Sequence, residues 1–270
     1  MLTVADVHKK FNPGTFNEVY ALRGISMTMA QGEFVTVIGT NGSGKSTLLN
    51  AIAGTFLPDS GTIAIAGKDV TRKKDFERAE SIARVFQNPF TGTAPQMTIA
   101  ENLHMARLRG KRHYPRIGLS TKARRFYGGE VRELEMQLEE RLDNLIGTLS
   151  GGQRQALTLL MAVINQPQVL LLDEHTAALD PKSAVHVIKL TRRFIEQGKL
   201  TCLMITHSMQ QALDLGDRTI MMHKGTIIDD IPAKEKRAMT VGDMLEKFAE
   251  LRKTEQLTDD MLAQLRREYA

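Results

Sequence analysis

The stretch "GTNGSGKST", Gly39 to Thr47, constrains this chain more than any other. It fits the pattern G-x-x-x-x-G-K-[ST] in full, follows the apolar run "FVTVI" and opens the helical run "KSTLLNAIAG". Strand, glycine-rich turn and helix in that order make a loop whose backbone N–H groups can wrap phosphate oxygens without a clashing Cβ. The helix N-terminus adds partial positive charge at the same place. The loop residues are Gly39, Thr40, Asn41, Gly42, Ser43, Gly44, Lys45, Ser46 and Thr47. Lys45 is expected to reach the β- and γ-phosphates of a nucleotide, and the Ser46 hydroxyl to bind Mg²⁺.

Such a loop needs an acidic partner for the metal, and an apolar strand ending in Asp is the usual source. "VLLLDE" provides one: Asp173 is expected to hold Mg²⁺ through water, and Glu174 to take a proton from the attacking water. The apolar runs "VLLLDE" and "LTCLMITH" alternate with helical stretches such as "KSAVHVIKLTRRFIEQG". Continuous apolar strands between helices read as a parallel sheet covered on both faces, with ligands beyond the strands' carboxyl ends. The first third instead reads as short strands, "LTVADV", "GISMTMA", "EFVTVIG" and "GTIAIAG", with a turn at "PDSG". Residues 95–149, approximately, are charged and helix-rich, as expected of a helical insertion. In the tail, Thr240 and Asp243 form a capping-box pattern ahead of Met244, Leu245, Phe248 and Leu251. A second helix is expected from Thr258, Asp259 and Asp260 to Arg266 and Arg267.

Composition excludes several classes. The one cysteine, Cys202, rules out an internal disulfide, fits a reducing compartment and, in an apolar strand, reads as a buried inert thiol. The N-terminus has no apolar signal region, and "ALTLLMAVI" is too short to cross a bilayer. Net charge is only +5, yet Arg107, Arg109, Lys111, Arg112, Arg116, Lys122, Arg124 and Arg125 crowd one stretch. Such a run can face nucleic acid, anionic lipid, an acidic partner or simply solvent.

"LSGGQ" (Leu149, Ser150, Gly151, Gly152, Gln153) stands between the phosphate loop and the Asp173–Glu174 pair. With these motifs in this order the chain resembles the nucleotide-binding subunit of an ATP-binding-cassette (ABC) transporter, over about residues 2–230. The resemblance implies an α/β P-loop NTPase cassette. Its parts would be a RecA-like parallel-sheet core, an N-terminal antiparallel β-subdomain and an inserted α-helical subdomain at about 95–149. Residues 231–270 then form a C-terminal helical extension.

The resemblance also implies roles. Phe11 in "HKKFNPG" would stack on adenine, with Tyr20 a second candidate. Gln87 in "RVFQNPF" would sense Mg²⁺ and the attacking water. The signature residues would hold the ATP of a partner subunit, with Ser150 capping the helix that begins there. Asp180 in "AALD" would lie in the loop that crosses the dimer, and His207 in "MITHSM" would bond the γ-phosphate. The implied activity is ATP hydrolysis with ATP and Mg²⁺. The implied partners are a second copy arranged head to tail, separate transmembrane permease subunits and a solute-binding protein, with no nucleic acid. The implied place is the cytoplasmic face of the inner membrane, as a peripheral subunit. A lone cassette suits import of a small organic solute such as an amino acid. A soluble cassette ATPase of repair or translation, and the ATPase of an exporter, are the alternatives. Permease contact is expected around Phe90 or Met97. Two departures stand out: Ala156 where the family commonly has a second arginine, and His175 where it usually has proline. A structural role is expected for His175, since Glu174 already fills the base position.

Overall fold

Alternating and continuous apolar patterns give two kinds of strand in the computed structural model of the chain, which describes residues 1–111 and 118–255. In chain order the elements begin with β1 (Leu2–Phe11), β2 (Val19–Met29), β3 (Phe34–Gly39), α1 (Lys45–Ala53), β4 (Ser60–Ile65), β5 (Lys68–Asp69), α2 (Asp75–Arg78) and β6 (Ile82–Val85). They continue with α3 (Ile99–Leu108), α4 (Thr121–Arg132), α5 (Gly151–Val163), β7 (Val169–Asp173), α6 (Pro181–Gly198) and β8 (Thr201–Ile205). The last are α7 (Met209–Asp214), β9 (Arg218–His223), β10 (Thr226–Ile231), α8 (Ala233–Lys236) and α9 (Val241–Glu255). The chain divides into two compact units, Met1–Arg72 with Leu203–Ala270, and Lys73–Cys202.

The first unit contains an antiparallel sheet in the order β2-β1-β4-β5. Leu2 pairs with Met29 on one side and Ile65 on the other, and all three are buried, as alternation predicts for a sheet with one covered face. In β3 every residue is buried. This strand lies between β9, which is parallel to it, and β8. A core forms from Ile38 of β3, Met209 and Ala212 of α7, Met221 and Ile231 of β9 and β10, and Met244 and Phe248 of α9. The expected capping box starts α9: Thr240 N–H donates to Asp243 Oδ2 at 2.6 Å, and Asp243 N–H donates back to Thr240 Oγ1 at 3.3 Å. The side chain of Leu251 and the expected helix from Thr258 to Arg267 lie outside the described residues.

In the second unit β6 pairs in parallel with β7, from Ile82 opposite Val169 to Val85 opposite Leu172. Helix α5 is buried along most of its length, and its polar residues Arg154, Gln155 and Thr158 point into packed surroundings rather than water. Ala156, the departure noted above, is fully buried there. Members of the basic stretch have separate occupations. Arg107 lies over the Phe126 ring, Arg109 donates to Ala162 O and Arg124 pairs with Asp143. Arg112 and Arg116 lie outside the described residues. Cys202 is buried, and burial pushes its thiol pKa up, as an inert thiol requires. No described helix is long and apolar enough to cross a membrane.

Candidate active site

The phosphate loop is shaped by main chain. Gly39 ends β3 opposite Met222, and a Cβ there would stand 2.2 Å from Met222 O. Gly44 stands at the N-cap of α1 with φ 97°, and a Cβ there would stand 2.5 Å from Ala21 O. Both positions therefore require glycine, the first for close approach and the second for conformation as well. The turn is tied down by Ser43 N–H donating to Thr40 O and Gly225 N–H donating to Ser43 O, each at 3.0 Å. The buried Lys45 ammonium donates to Gly39 O at 2.6 Å and Thr40 O at 3.1 Å, the loop's own carbonyls. Ser43 Oγ is buried with no hydrogen-bond partner, a costly state that a phosphate oxygen would relieve. A buried ammonium, that hydroxyl and a helix N-terminus together fit a nucleotide's phosphates.

His207 belongs to the same unit. It stands in the turn between β8 and α7, half-buried. The preceding Thr206 N–H donates to Val37 O at 3.2 Å, which ties this turn to the strand that carries Gly39. Ser208 caps α7 by accepting from Gln211 N–H. Phe11 closes β1 and meets Phe56 edge-on, ring centroids 5.3 Å apart, with the Lys9 ammonium close to both rings. Tyr20, the second adenine candidate, has its hydroxyl on the His8 ring and its own ring against Lys10 and Arg23.

The second unit carries the acids and the signature. Asp173 ends β7, mostly buried, and accepts from Arg84 Nη2 at 2.7 Å. The Arg84 guanidinium also lies 4.5 Å from the Phe86 ring centroid. Carboxylate and hydroxyl oxygens are the hard donors Mg²⁺ takes, so the donor type of Asp173 fits that metal, which would share this carboxylate with Arg84. Glu174 has φ 47°, a left-handed conformation that costs a non-glycine residue on the order of 1–2 kcal/mol. That backbone aims its carboxylate, which accepts from Gln87 Nε2 at 3.1 Å. Strain of this kind concentrates where a side chain must be pointed for function.

His175 faces away from this chemistry. It is 2% exposed, and its Nε2 lies 2.9 Å from Thr191 Oγ1. The Thr191 hydroxyl donates to Val187 O, so it accepts from His175 Nε2–H, which fixes the neutral tautomer. Burial pushes the imidazole pKa down to about 4. The structural role expected of it from sequence fits this buried pairing.

Ser150 caps α5 as expected, accepting from Gln153 N–H at 3.3 Å while Gln153 Oε1 accepts from Ser150 N–H at 3.2 Å. Leu149 is buried just before the cap. A Cβ on Gly152 would stand 2.4 Å from Ser183 Oγ, so that glycine admits α6, whereas Gly151 is exposed. Asp180 caps α6 by accepting from Ser183 N–H at 3.0 Å. The hydroxyl and amide of Ser183 hold its carboxyl below the usual range.

Three residues absent from the sequence reading matter here. Arg84 is the single charge in the strand "IARV". Arg154, with its side chain on Ile146 O, Gly147 O and Leu149 O and over the Phe90 ring, shapes the chain entering the signature. Gln155 is fully buried and donates to His175 O and Phe86 O. Arg84 is a charge within an apolar strand, and that was its available signal; Arg154 and Gln155 stand among other polar residues and carry none.

A family model described as "ABC transporter" matches residues 22–177. The chain is 42% identical over 250 residues to a tyrosine transport ATP-binding protein of Clostridioides difficile (strain R20291), covering 92% of this chain and 98% of that one. It is 33% identical over 245 residues to the arginine transport ATP-binding protein ArtM of Bacillus subtilis (strain 168), covering 87% and 96%. Among solved structures it is similar to the ATP-binding cassette MJ0796 in a dimeric post-hydrolysis state bound to ADP and Pi. That match has TM-score 0.73 at 28% identity and covers 86% of this chain and 99% of that one. It is also similar to cbiO1 from Clostridium perfringens, part of the transporter complex cbiONQ, with TM-score 0.74 at 26% identity over 91% and 93%.

Proposed function

The chain belongs to the ABC transporter family and is its ATP-binding, ATP-hydrolysing subunit; from that premise we propose that it works as a head-to-tail homodimer, driving solute through separate permease subunits. Gly39–Thr47 cradles the phosphates, with Lys45 on the β and γ groups and Phe11 against adenine. Glu174 takes the proton of the attacking water, Gln87 orients that water, and His207 bonds the γ-phosphate. Ser46, Asp173 and Gln87 would hold Mg²⁺, the aspartate through water, and the metal when bound neutralises phosphate charge. Leu149–Gln153 of one subunit closes on the partner's ATP, and Asp180 lies at the seam. Because the γ-phosphate then contacts both subunits only while attached, hydrolysis reopens the dimer.

The observation that carries this reading is the Gln87–Glu174 hydrogen bond, made by a glutamate held in a left-handed backbone. The test is Glu174→Gln, which should bind ATP with parent affinity and barely turn it over. Hydrolysis at the parent rate would remove Glu174 from the base role.

Import of an amino acid is the proposed task, supported by the tyrosine and arginine transport relatives. Uptake of labelled amino acids by vesicles carrying this subunit with its permease checks it. The permease contact is proposed at Phe90, 55% exposed, and Met97. A cavity of about 490 Å³ in the same unit, lined by Thr93, Ala94, Met105 and Met161, supports that place. Cross-links from Phe90 or Met97 positions to the permease are expected, and cross-links confined to other surfaces would overturn it. The proposed location is peripheral, on the cytoplasmic face of the membrane, with a solute-binding protein on the other side. No nucleic-acid partner is proposed.

A further inference from the structure

We propose that Gln155 is a positioning residue for hydrolysis: its side-chain amide ties the backbone beside Gln87 to the backbone beside Glu174 and so sets how that pair meets. The proposal rests on the reading of Glu174 as the base.

The β6–β7 ladder ends with Val85 opposite Leu172. Beyond it the two chains run on to Phe86–Gln87 and to Asp173–Glu174–His175, where this ladder no longer holds them. Gln155 takes over there. Its Nε2 donates one proton to His175 O at 2.6 Å and the other to Phe86 O at 3.3 Å. Phe86 precedes Gln87, and His175 follows Glu174. Gln87 Nε2 closes the ring on Glu174 Oε2 at 3.1 Å. The two functional side chains and their two backbones thus form one circuit, with a single amide at its far side.

A neutral side chain that donates twice from this buried place is what the two carbonyls need. A primary amide has two N–H donors on one nitrogen, asparagine is a methylene shorter, a carboxyl donates one proton at most, and methionine none. Gln155 is fully buried, and its Oε1 has no hydrogen-bond partner. A buried unpaired amide oxygen is costly, and flipping the amide would turn that oxygen against two carbonyls. The arrangement is therefore held by its two donor bonds. Gln155 also sits on α5, whose N-cap is Ser150. The helix that the signature opens is thus hydrogen-bonded to the backbone on either side of the Gln87–Glu174 pair, so a shift of that helix would be felt at the pair.

The test uses the full-length chain with Mg²⁺ and ATP, and compares Gln155→Met and Gln155→Glu with the parent. In Gln155→Met, kcat should fall on the order of 10- to 100-fold, as for a small misplacement of reacting groups, while KM for ATP moves less than about threefold. In Gln155→Glu the new carboxyl can donate only when protonated, and burial raises its pKa. Its kcat, taken relative to the parent at each pH, should therefore rise as pH falls. A Gln155→Met enzyme with kcat within about twofold of the parent overturns the proposal, as does a Gln155→Glu profile parallel to the parent's. If Gln155→Met does not fold, the pH profile of Gln155→Glu decides. Glu174→Gln is measured alongside. Parent-level hydrolysis there sinks the assignment of the base, whereas an inactive Glu174→Gln beside normal Gln155 variants sinks this proposal alone.

Discussion

The phosphate loop and the end of β7 solve the same problem, holding charge at a strand end, with opposite materials. From Gly39 to Lys45 the shape comes from main chain: two glycines where a Cβ would strike a carbonyl, and an ammonium folded onto the loop's own carbonyls. From Asp173 to His175 it comes from side chains reaching in from other elements. Arg84 pairs with Asp173, Gln87 with Glu174, Gln155 with His175 O and Thr191 with the His175 ring. A backbone cradle is sensitive to added volume. A side-chain web is sensitive to loss of one donor or one charge, because the partner loses the bond that orients it, and where the partner is buried, as at His175 and Gln155, it is left unsatisfied. Substitution should therefore damage shape and nucleotide binding in the first region, and chemistry in the second.

The largest expected effect is in the web. Glu174→Gln should lower ATP turnover roughly 100- to 10,000-fold, the usual worth of a positioned general base, while nucleotide affinity stays at the parent value. Equal losses of affinity and turnover would erase the contrast between the two regions.

Next is acid stability. The His175 pKa is pushed down to about 4 by burial, from an ordinary value of 6.5. Below 6.5 the unfolded chain binds a proton that the folded chain does not, so stability falls as pH drops from 6.5 towards 4. The loss should total about 3 kcal/mol, at ~1.4 kcal/mol per pH unit. Chemical denaturation of the parent and His175→Gln across this window checks it: the variant should lack this part of the slope.

In the cradle, Gly39→Ala should cost about 1–3 kcal/mol of stability, because Met222 O is main chain and cannot rotate away. It should also weaken nucleotide binding, read by titration with a fluorescent ATP analogue. An alanine accepted at parent stability and affinity would mean that the loop is less backbone-determined than the glycine geometry requires.

The smallest effect is expected at Ser150→Ala, which removes the α5 cap and should cost about 1 kcal/mol in thermal or denaturant unfolding. Turnover should fall further than that loss of stability explains if the hydroxyl also meets the partner's ATP.

Much of this was legible in the chain. The phosphate loop could be read residue by residue, since its chemistry lies in nine consecutive positions whose backbone demands are local. The fully buried β3, the apolar β7 ending in Asp173 and the capping boxes at Ser150 and Thr240 follow equally from neighbouring residues. The basic stretch was less readable, because charge counts do not reveal that Arg107 lies over a ring or that Arg109 meets a helix carbonyl.

By itself the sequence determined the motifs, their order and the strand–turn–helix that carries the phosphate loop. Tertiary structure alone decided that Arg84 would meet Asp173, 89 positions away, and that Gln155 would bridge Phe86 O and His175 O, 69 and 20 positions away. It also decided that His175 would turn inward to Thr191 rather than join the acids beside it. The reason is physical. A loop's dihedral needs act between neighbours, whereas a buried donor finds its acceptor through strand register and helix packing, which no local spacing encodes.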